Sequence, residues 1–182
     1  MILYTIGHSN HSLDEFLALV EAHGIQCLVD VRAFPSSRRW PHFNREALAA
    51  VLDACAVRYD WCPALGGRRR TSKGARSPHV AWTVAAFRNY ADYMDTAEFV
   101  RGLSHLVGLA AQSRTAFMCA EALYWQCHRR LIADRLVVEK HRVLHIQTRD
   151  RCVEHRLPDF ARIEDGRLMY DRGAQLELVR EG

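Results

Sequence analysis

Two cysteines and a histidine within residues 115–131 are the side chains best suited to chemistry in this chain. The segment reads TAFMCAEALYWQCHRRL, in which an apolar run leads into Cys119 and Cys127-His128 follows eight residues later. The pattern predicts a buried strand, a turn and a helix that opens on Cys127 and His128. Free N–H groups and the positive end of the dipole at a helix start favour a thiolate. A reactive site is one interpretation. The other is that the two cysteines only pack in the core and that His128 is a core histidine bonded to a backbone carbonyl.

Charged residues beside this cluster fit acid–base chemistry or anion binding. Glu121 lies at the expected mouth of the site and is the best candidate for a general acid or base. We expect Arg129 to be exposed and to hold an anion through its fork of donors, or else to form a surface ion pair. Cys119 should be the most reactive thiol, because it faces the expected helix start and nearby cations. The catalytic candidates are Cys119, Glu121, Cys127 and His128.

Metal and phosphate-loop motifs are not recognisable in the chain. The two cysteines and His128 could supply three zinc ligands, and His8 a fourth. However, Cys-x7-Cys-His is not a recognised zinc spacing, and the sequence has no Cys-x-x-Cys. The glycines at 66 and 67 are not part of a Gly-Lys-Ser/Thr loop, and no arginine follows Cys119 at the spacing of a phosphatase loop. We therefore predict no metal and no cofactor.

The elements that must position these residues have the pattern of an α/β protein. Apolar runs at residues 3–6, 27–31, 57–61, 116–119 and 142–146 predict five strands. Helical periodicity predicts helices over about 12–24, 45–54, 87–93, 96–111 and 124–139. Alternation of strands and helices predicts a single α/β domain with a mainly parallel sheet of about five strands, helices on both faces and a small C-terminal extension.

The C-terminal extension contains a turn signal. Asp165-Gly166 lies between two short runs that favour strands, and Asp-Gly in that position predicts a hairpin. We predict an α/β domain over residues 1–150 and an extension with this hairpin over residues 151–182.

Polar residues follow four of the predicted strands. In open parallel sheets, ligands bind outside the carboxyl ends of the strands, so these residues predict one cleft. They are Gly7, His8 and Ser9, then Asp30 and Arg32, then Gly66, Gly67 and Arg68, and finally Cys119 and Glu121.

Asp30 is the unusual member of this set, because it lies inside an apolar strand. A buried carboxylate is costly unless it is paired, and Arg32 is on the same strand face by the period of two. Asp30 either pairs with Arg32 to hold the cleft together, or contacts a ligand or acts as a base.

Composition limits the classes of protein that the chain can represent. It has 182 residues, of which 49% are hydrophobic and 25% charged, as in ordinary globular proteins. It shows no signal peptide and no apolar run long enough for a membrane span, and we expect its six cysteines to be reduced in the cytoplasm. The net charge of +4 is mild, although five basic residues fall within residues 68–76.

The residues leave three kinds of function open, and whether the protein is an enzyme is not decided by them. The leading interpretation is an enzyme whose cleft accepts an anionic, phosphate-bearing molecule such as a nucleotide or nucleic acid. The second is a non-catalytic module that binds nucleic acid through the loop at residues 68–76. The third is a structural metal-binding or scaffold protein. No membrane partner is expected.

The same four strand ends resemble those of the DUF488 proteins, a family of small bacterial and archaeal proteins of unsettled activity. The matching pieces are TIGHS at residues 5–9, VDVR at 29–32 with Pro35-Ser36, PALGG at 63–67, and MCAE at 118–121 followed by Cys-His-Arg at 127–129. The resemblance extends over about residues 3–147. It implies an α/β fold and adds Ser36 to the substrate-binding candidates, which otherwise comprise Gly7, His8, Ser9, Asp30, Arg32, Gly66, Gly67, Arg68 and Arg129.

Overall fold

A six-stranded sheet forms the centre of the computed structural model, which describes residues 1–69 and 76–171. Its strands are β1 (Ile2–Gly7), β2 (Cys27–Asp30), β3 (Arg58–Trp61), β4 (Thr115–Cys119), β5 (Arg142–Ile146) and β6 (Cys152–Glu154). They lie in the order β3-β2-β4-β1-β5-β6, and only the pair β5–β6 is antiparallel. The predicted α/β class with a mainly parallel sheet is confirmed, and β6 is the strand that the sequence pattern missed.

Five α-helices of the described residues cover the two faces of this sheet. They are α1 (Leu13–Ala22), α2 (Arg45–Ala54), α3 (Ala85–Tyr93), α4 (Ala97–Ala110) and α5 (Arg129–Val138). Alternate side chains of the strands form one apolar cluster with α1 and α2 and a second with α3, α4 and α5. Within the described residues, no helix is long and apolar enough to cross a bilayer.

The start of α5 differs from the sequence-based expectation, and the difference matters for the site. A helix from about residue 124 was expected, but residues Tyr124–Gln126 form a short 3-10 turn and Cys127 is extended, with φ −127° and ψ 150°. The helix therefore begins at Arg129, with His128 as its N-cap residue. This break places the Cys127 side chain, rather than that of Cys119, next to the first free N–H groups of α5.

The C-terminal hairpin is formed by β7 (Ala161–Glu164) and β8 (Arg167–Tyr170). Its turn residues Asp165 and Gly166 both have positive φ, at 49° and 77°, which is the backbone form that Asp-Gly turns favour. Tyr170 is fully buried in the apolar cluster of α3, α4 and α5. The boundary at residue 150 stays a prediction, and residues 172–182 lie outside the described part.

Hydrogen bonds beyond the ladders bring three strand ends together around β4. The N–H of His8 donates to the carbonyl of Cys119 at 3.0 Å, and the N–H of Ser9 donates to that of Ala120 at 2.8 Å. On the other side, the N–H of Val31 donates to the carbonyl of Met118 at 2.9 Å. The residues that leave β1, β2 and β4 therefore lie side by side at one edge of the sheet.

Candidate functional site

Cys119, Cys127 and His128 meet at this edge, as the sequence predicted for the ends of parallel strands. Cys119 is the last residue of β4, and the other two precede α5. The Nδ1 atom of His128 lies 3.9 Å from Sγ of Cys119 and 3.6 Å from Sγ of Cys127. All three atoms lie within 4.8 Å of one another, and we call these residues the Cys2His triad.

The orientation of the His128 ring is fixed by the backbone of the neighbouring strand. Its Nε2 lies 3.0 Å from the carbonyl oxygen of Val31. A carbonyl oxygen can only accept, so Nε2 carries a proton and the Nδ1 atom is directed at the two sulfur atoms.

Gly67 makes room for this ring. A Cβ atom on Gly67 would lie 2.4 Å from Nδ1 of His128, a distance that real atoms do not adopt. The glycine predicted at this strand end is thus required by the close approach of the imidazole.

The triad opens into a cleft along the ends of the strands. A cavity of about 550 Å³ is lined by all three residues, and it adjoins one of about 690 Å³ lined by His8 and Ser9. Both cavities share Arg32, Ser36 and Glu121, so they form one continuous cleft. Of the predicted site residues, the cleft brings together His8, Ser9, Arg32, Ser36, Gly67, Arg68, Cys119, Glu121, Cys127 and His128.

The two thiols of the triad have opposite electrostatic environments. The hydrogen bond with Cys127, together with burial, raises the pKa of Cys119 well above its usual value. Burial opposes ionisation of Cys127, but its contacts with Cys119 and His128 and the charge of Arg129 lower the pKa of Cys127 well below its usual value. The N–H of Arg129 points at Sγ of Cys127 at 3.5 Å.

This arrangement corrects the prediction for Cys119. We expected the helix start and the cations to favour a thiolate at Cys119, and that expectation is wrong. Because α5 begins only at Arg129, its dipole and N–H groups act on Cys127, and Cys119 is the proton-bearing partner.

Asp30 and Arg32 form a buried ion pair, as one of the two interpretations of Asp30 predicted. The guanidinium Nε lies 2.9 Å from one carboxylate oxygen, and a terminal nitrogen lies 2.6 Å from the other. The hydroxyl of Tyr59 also donates to this carboxylate at 2.6 Å. Asp30 is wholly buried and does not line the cleft, so its observed role is to hold Arg32.

His8 belongs to the same network. Arg32 donates to its Nε2 at 3.2 Å, and its Nδ1 donates to the carbonyl of Ser9 at 3.0 Å. Burial and the adjacent Arg32 charge lower the pKa of His8 to about 4, so the ring is neutral. Among the described residues, His8 is not part of the cluster that could ligate a metal with the triad.

Arg129 is not the exposed anion clamp that we expected, and this expectation is wrong. Only 1% of its surface is exposed, and its guanidinium donates to the carbonyl oxygens of Glu121 and Ala122. Gly7 lies against the same turn, since a Cβ there would be 1.9 Å from the Glu121 carbonyl oxygen and 2.8 Å from the Arg129 guanidinium. Arg129 and Gly7 therefore hold the turn after β4, and contact with a ligand stays a prediction for both.

The loop at residues 68–76 is described only in part, because residues 70–75 lie outside the described ranges. Arg68 is exposed, lies 5.7 Å above the Phe34 ring and lines the cleft. Arg69 instead donates to the carbonyl oxygens of Gly66 and Pro63. Arg69 also pairs with Glu98 at 3.7 Å, so its charge is committed to contacts within the fold. Gly66 packs against Ala33 and does not line the cleft.

A buried polar chain next to the triad was missed by the sequence analysis. Arg129 donates to the hydroxyl of Thr5, which lies 2.7 Å from Nδ1 of His145. Nε2 of His145 lies 2.9 Å from His155, and His155 lies 2.7 Å from the carboxylate of Asp134. Because the carboxylate only accepts, His155 donates to Asp134 at the far end of this chain of hydrogen bonds.

The sequence signal for this chain was weak but present. His145 is flanked by apolar residues inside a predicted strand, and a polar side chain at such a position needs a partner. Burial and the neighbouring His155 lower the pKa of His145 to about 2. The partner residues are far apart in sequence and could not be chosen from the pattern.

Comparison with known proteins gives a family but no activity. Residues 12–136 match the family model described as "Domain of unknown function DUF488". Searches of curated proteins and of solved structures found no match.

Proposed function

The chain belongs to the DUF488 family, and we propose from its cleft that it is an enzyme that acts on an anionic, phosphate-bearing substrate. The observation that carries this proposal is the Cys2His triad, whose three reactive atoms lie within 4.8 Å of one another at the wall of a cleft. Two thiols and an imidazole in such contact are suited to chemistry on a bound molecule.

The charges of the cleft support an anionic substrate. Arg39 and Arg68 line its two halves in addition to Arg32, whose charge is balanced by Asp30, whereas Glu121 is the one acidic residue among the described lining residues. Arg39 and Arg68 are exposed, so both are accessible to a ligand. Guanidinium groups match the geometry of phosphate oxygens, and a cleft with this excess of cations raises the local concentration of anions.

Glu121 is the group best placed to transfer a proton. It lies two residues beyond Cys119, is exposed, and lines both halves of the cleft. A substrate held between Arg68 and the triad would therefore have a carboxylate beside it. Ser9 and Ser36 line the larger half and offer hydroxyl groups for orientation.

Ligand binding tests the anionic part of this proposal. Inorganic phosphate and nucleoside monophosphates would be titrated into the protein by calorimetry, with Arg68→Ala as the variant and Arg101→Ala as the control. We expect Arg68→Ala to weaken binding by about tenfold, which corresponds to one charge-assisted contact. Arg101 is an exposed residue of α4 that does not line the cleft, so Arg101→Ala should bind as the unaltered protein does. Equal losses in both variants would contradict a specific anion site.

A non-catalytic nucleic-acid-binding module is the alternative that the same cations allow. It predicts affinity for single-stranded or duplex DNA or RNA whose logarithm falls steeply with the logarithm of salt concentration. It also predicts that Cys127→Ser leaves binding unchanged, because the triad would then have no part in the function. A steep salt dependence without turnover of any phosphate ester would favour this module over the enzyme.

A further inference from the structure

We propose that the Cys2His triad is a binding site for one thiophilic divalent metal ion, with Zn²⁺ as the first choice, and that its fourth coordination position faces the cleft. This inference rests on the proposed function in one respect, because it places the substrate or a water molecule at that open position. The ligand set itself rests on the geometry of the three residues.

The spacing of the ligand atoms is close to that of a tetrahedral zinc site. Zinc–sulfur bonds of about 2.3 Å and zinc–nitrogen bonds of about 2.05 Å give sulfur–nitrogen edges of about 3.6 Å in a tetrahedron. The two observed distances from Nδ1 of His128 are 3.6 Å to Cys127 and 3.9 Å to Cys119. The two nitrogen–sulfur distances are therefore within about 0.3 Å of the tetrahedral value, and the two sulfur atoms lie within 4.8 Å of each other.

The imidazole already has the partner that a metal-binding histidine requires. Histidine ligands almost always donate their second ring N–H to a carbonyl or carboxylate, which fixes the ring and the tautomer. In His128 the carbonyl of Val31 has this role at 3.0 Å, and Nδ1 is left for the ion. Gly67 lies against the ring on the side of this Nδ1 atom, where a Cβ would come within 2.4 Å of it.

The fourth position is not supplied by the described part of the chain. Among the described residues, no further histidine, cysteine or carboxylate belongs to the group of ligand atoms formed by Cys119, Cys127 and His128. All three line the cavity of about 550 Å³. Structural zinc sites have four protein ligands, whereas catalytic sites have three and an exchangeable water, so this arrangement has the form of a catalytic site.

The unusual ligand spacing in the sequence has a structural explanation. Short Cys-x-x-Cys spacings occur where one loop wraps around the ion. Here the first ligand ends a central strand of the sheet and the other two precede a helix, so the fold and not a local loop brings them together. A ligand set of this kind leaves no motif that a search by spacing would find.

Cobalt substitution tests the site directly. The full chain, reduced and freed of metal, would be titrated with Co²⁺, whose absorption reports thiolate ligands and tetrahedral geometry. We expect one Co²⁺ per chain, thiolate-to-cobalt charge-transfer bands, and intense d–d bands that Zn²⁺ abolishes by competition. Addition of azide should change the d–d bands, because an open position accepts it.

Variants of the triad identify the ligands. Cys119→Ser, Cys127→Ser and His128→Ala should each weaken Co²⁺ binding by more than about 100-fold, beyond the loss expected for an outer-shell residue. Cys62→Ser is the matched control, because Cys62 is also a buried free cysteine on the same side of the sheet but lies outside the triad. Circular dichroism of each variant would establish that it is folded, and His128→Gln provides a second variant where His128→Ala does not fold.

The outcomes separate this inference from the proposed function. Absence of the thiolate bands, or bands unchanged in the folded triad variants, would overturn the metal site. If that protein still binds inorganic phosphate in a manner that depends on Arg68, the proposed function stands without a metal. Cobalt bands that depend on the triad, together with no phosphate binding, would support the metal site and contradict the anionic substrate. Bands that azide does not change would overturn the open position.

Discussion

Two polar clusters lie at the same edge of the sheet, and they differ in how fully their polar atoms are paired. In the first, Asp30 accepts from Arg32 and Tyr59, and Arg32 in turn donates to His8 and to the carbonyl of Phe43. In the second, the Cys2His triad, the ligand atoms face mainly one another, and the one strong outside bond is that of His128 to Val31. The polar atoms of the first cluster are all paired within the protein, so we call it the closed cluster. The sulfur and nitrogen atoms of the second can still bind another atom.

The difference separates a structural role from a chemical one. Buried charges that satisfy each other hold neighbouring elements in place, and they have no lone pair left for a ligand. Soft atoms that converge with unused lone pairs are suited to a metal ion or a substrate. Asp30 is conspicuous in the sequence because it is charged inside an apolar strand. The structure pairs it fully, whereas the atoms of Cys127 and His128 are left free to react.

Removal of Asp30 should produce the largest change. Asp30→Ala leaves the buried Arg32 without its counter-ion, and breaking a buried pair costs about 3–5 kcal/mol of unfolding free energy. Urea denaturation monitored by circular dichroism would measure it.

Asp60→Ala is the matched control for this variant. Asp60 is on the adjacent strand β3, and its ion pairs with Arg58 and His105 involve exposed partners, so the expected loss is below about 1 kcal/mol. A loss for Asp30→Ala as small as that for Asp60→Ala would mean that the closed cluster does not hold the fold.

Gly67→Ala should damage the Cys2His triad and leave the cluster of Asp30 and Arg32 intact. The added Cβ would push the His128 ring away from the two sulfur atoms, so we expect Co²⁺ binding to weaken by about 10–100-fold. The cobalt titration described above measures this loss, and urea denaturation should show a smaller change than for Asp30→Ala.

Gly108→Ala is the control for a glycine change without a steric effect. Gly108 lies inside α4, and a Cβ there meets no atom within 4 Å. Alanine should therefore leave cobalt binding unchanged and stabilise the helix by about 0.5–1 kcal/mol. Equal cobalt affinity in both glycine variants would show that the position of His128 is not set by Gly67.

Acid should lower the free energy of unfolding through His8, which contacts Arg32, by a smaller amount than Asp30→Ala does. His8 is neutral in the fold with its pKa lowered to about 4, whereas the unfolded chain protonates it near 6.5. The unfolded state therefore binds more protons between these values, so the contribution of His8 to stability is complete above about pH 6.5 and is lost as the pH falls towards 4. Between pH 7 and pH 5 the loss should be on the order of 1 kcal/mol.

His8→Gln separates the contribution of His8 to the acid sensitivity of stability from the contributions of the other histidines. Glutamine can still accept from Arg32 but does not titrate, so its urea midpoint should fall less between pH 7 and pH 5 than that of the unaltered protein. An identical fall in both proteins would assign the acid sensitivity to other groups, such as His145.

Much of the fold could be predicted because its signals are local. The apolar runs that became β1 to β5 are contiguous in the sequence, and the parallel arrangement followed from the helices between them. Convergence of polar residues at the strand ends followed as well, because all parallel strands end at one edge. The pairing of Asp30 with Arg32 is also local, since the two residues are two positions apart.

The features that the sequence did not predict depend on contacts between distant segments or on the exact position of a helix end. The strand order, in which β4 lies between β2 and β1, depends on contacts between distant segments. Arg129 was expected in water, but the turn after β4 folds over it and supplies carbonyl acceptors. The identity of the thiol beside the helix start depended on where α5 begins, and helix ends are the least certain part of a periodicity argument.

The central place of β4 in the sheet has a consequence for the time scale on which the triad can rearrange. Backbone amides of β4 bond to strands on both sides, so they should exchange with solvent only when the whole domain unfolds. The turn at residues 120–126 has no such ladder and is held by Arg129 and by the stacking of Tyr124 on His145, so its amides should exchange through smaller openings. We therefore expect Cys119 to lie in the part of the fold that opens most slowly. Cys127 comes directly after the turn, which should open faster. Each local opening of that turn would separate the two sulfur atoms for a moment while the sheet stays intact.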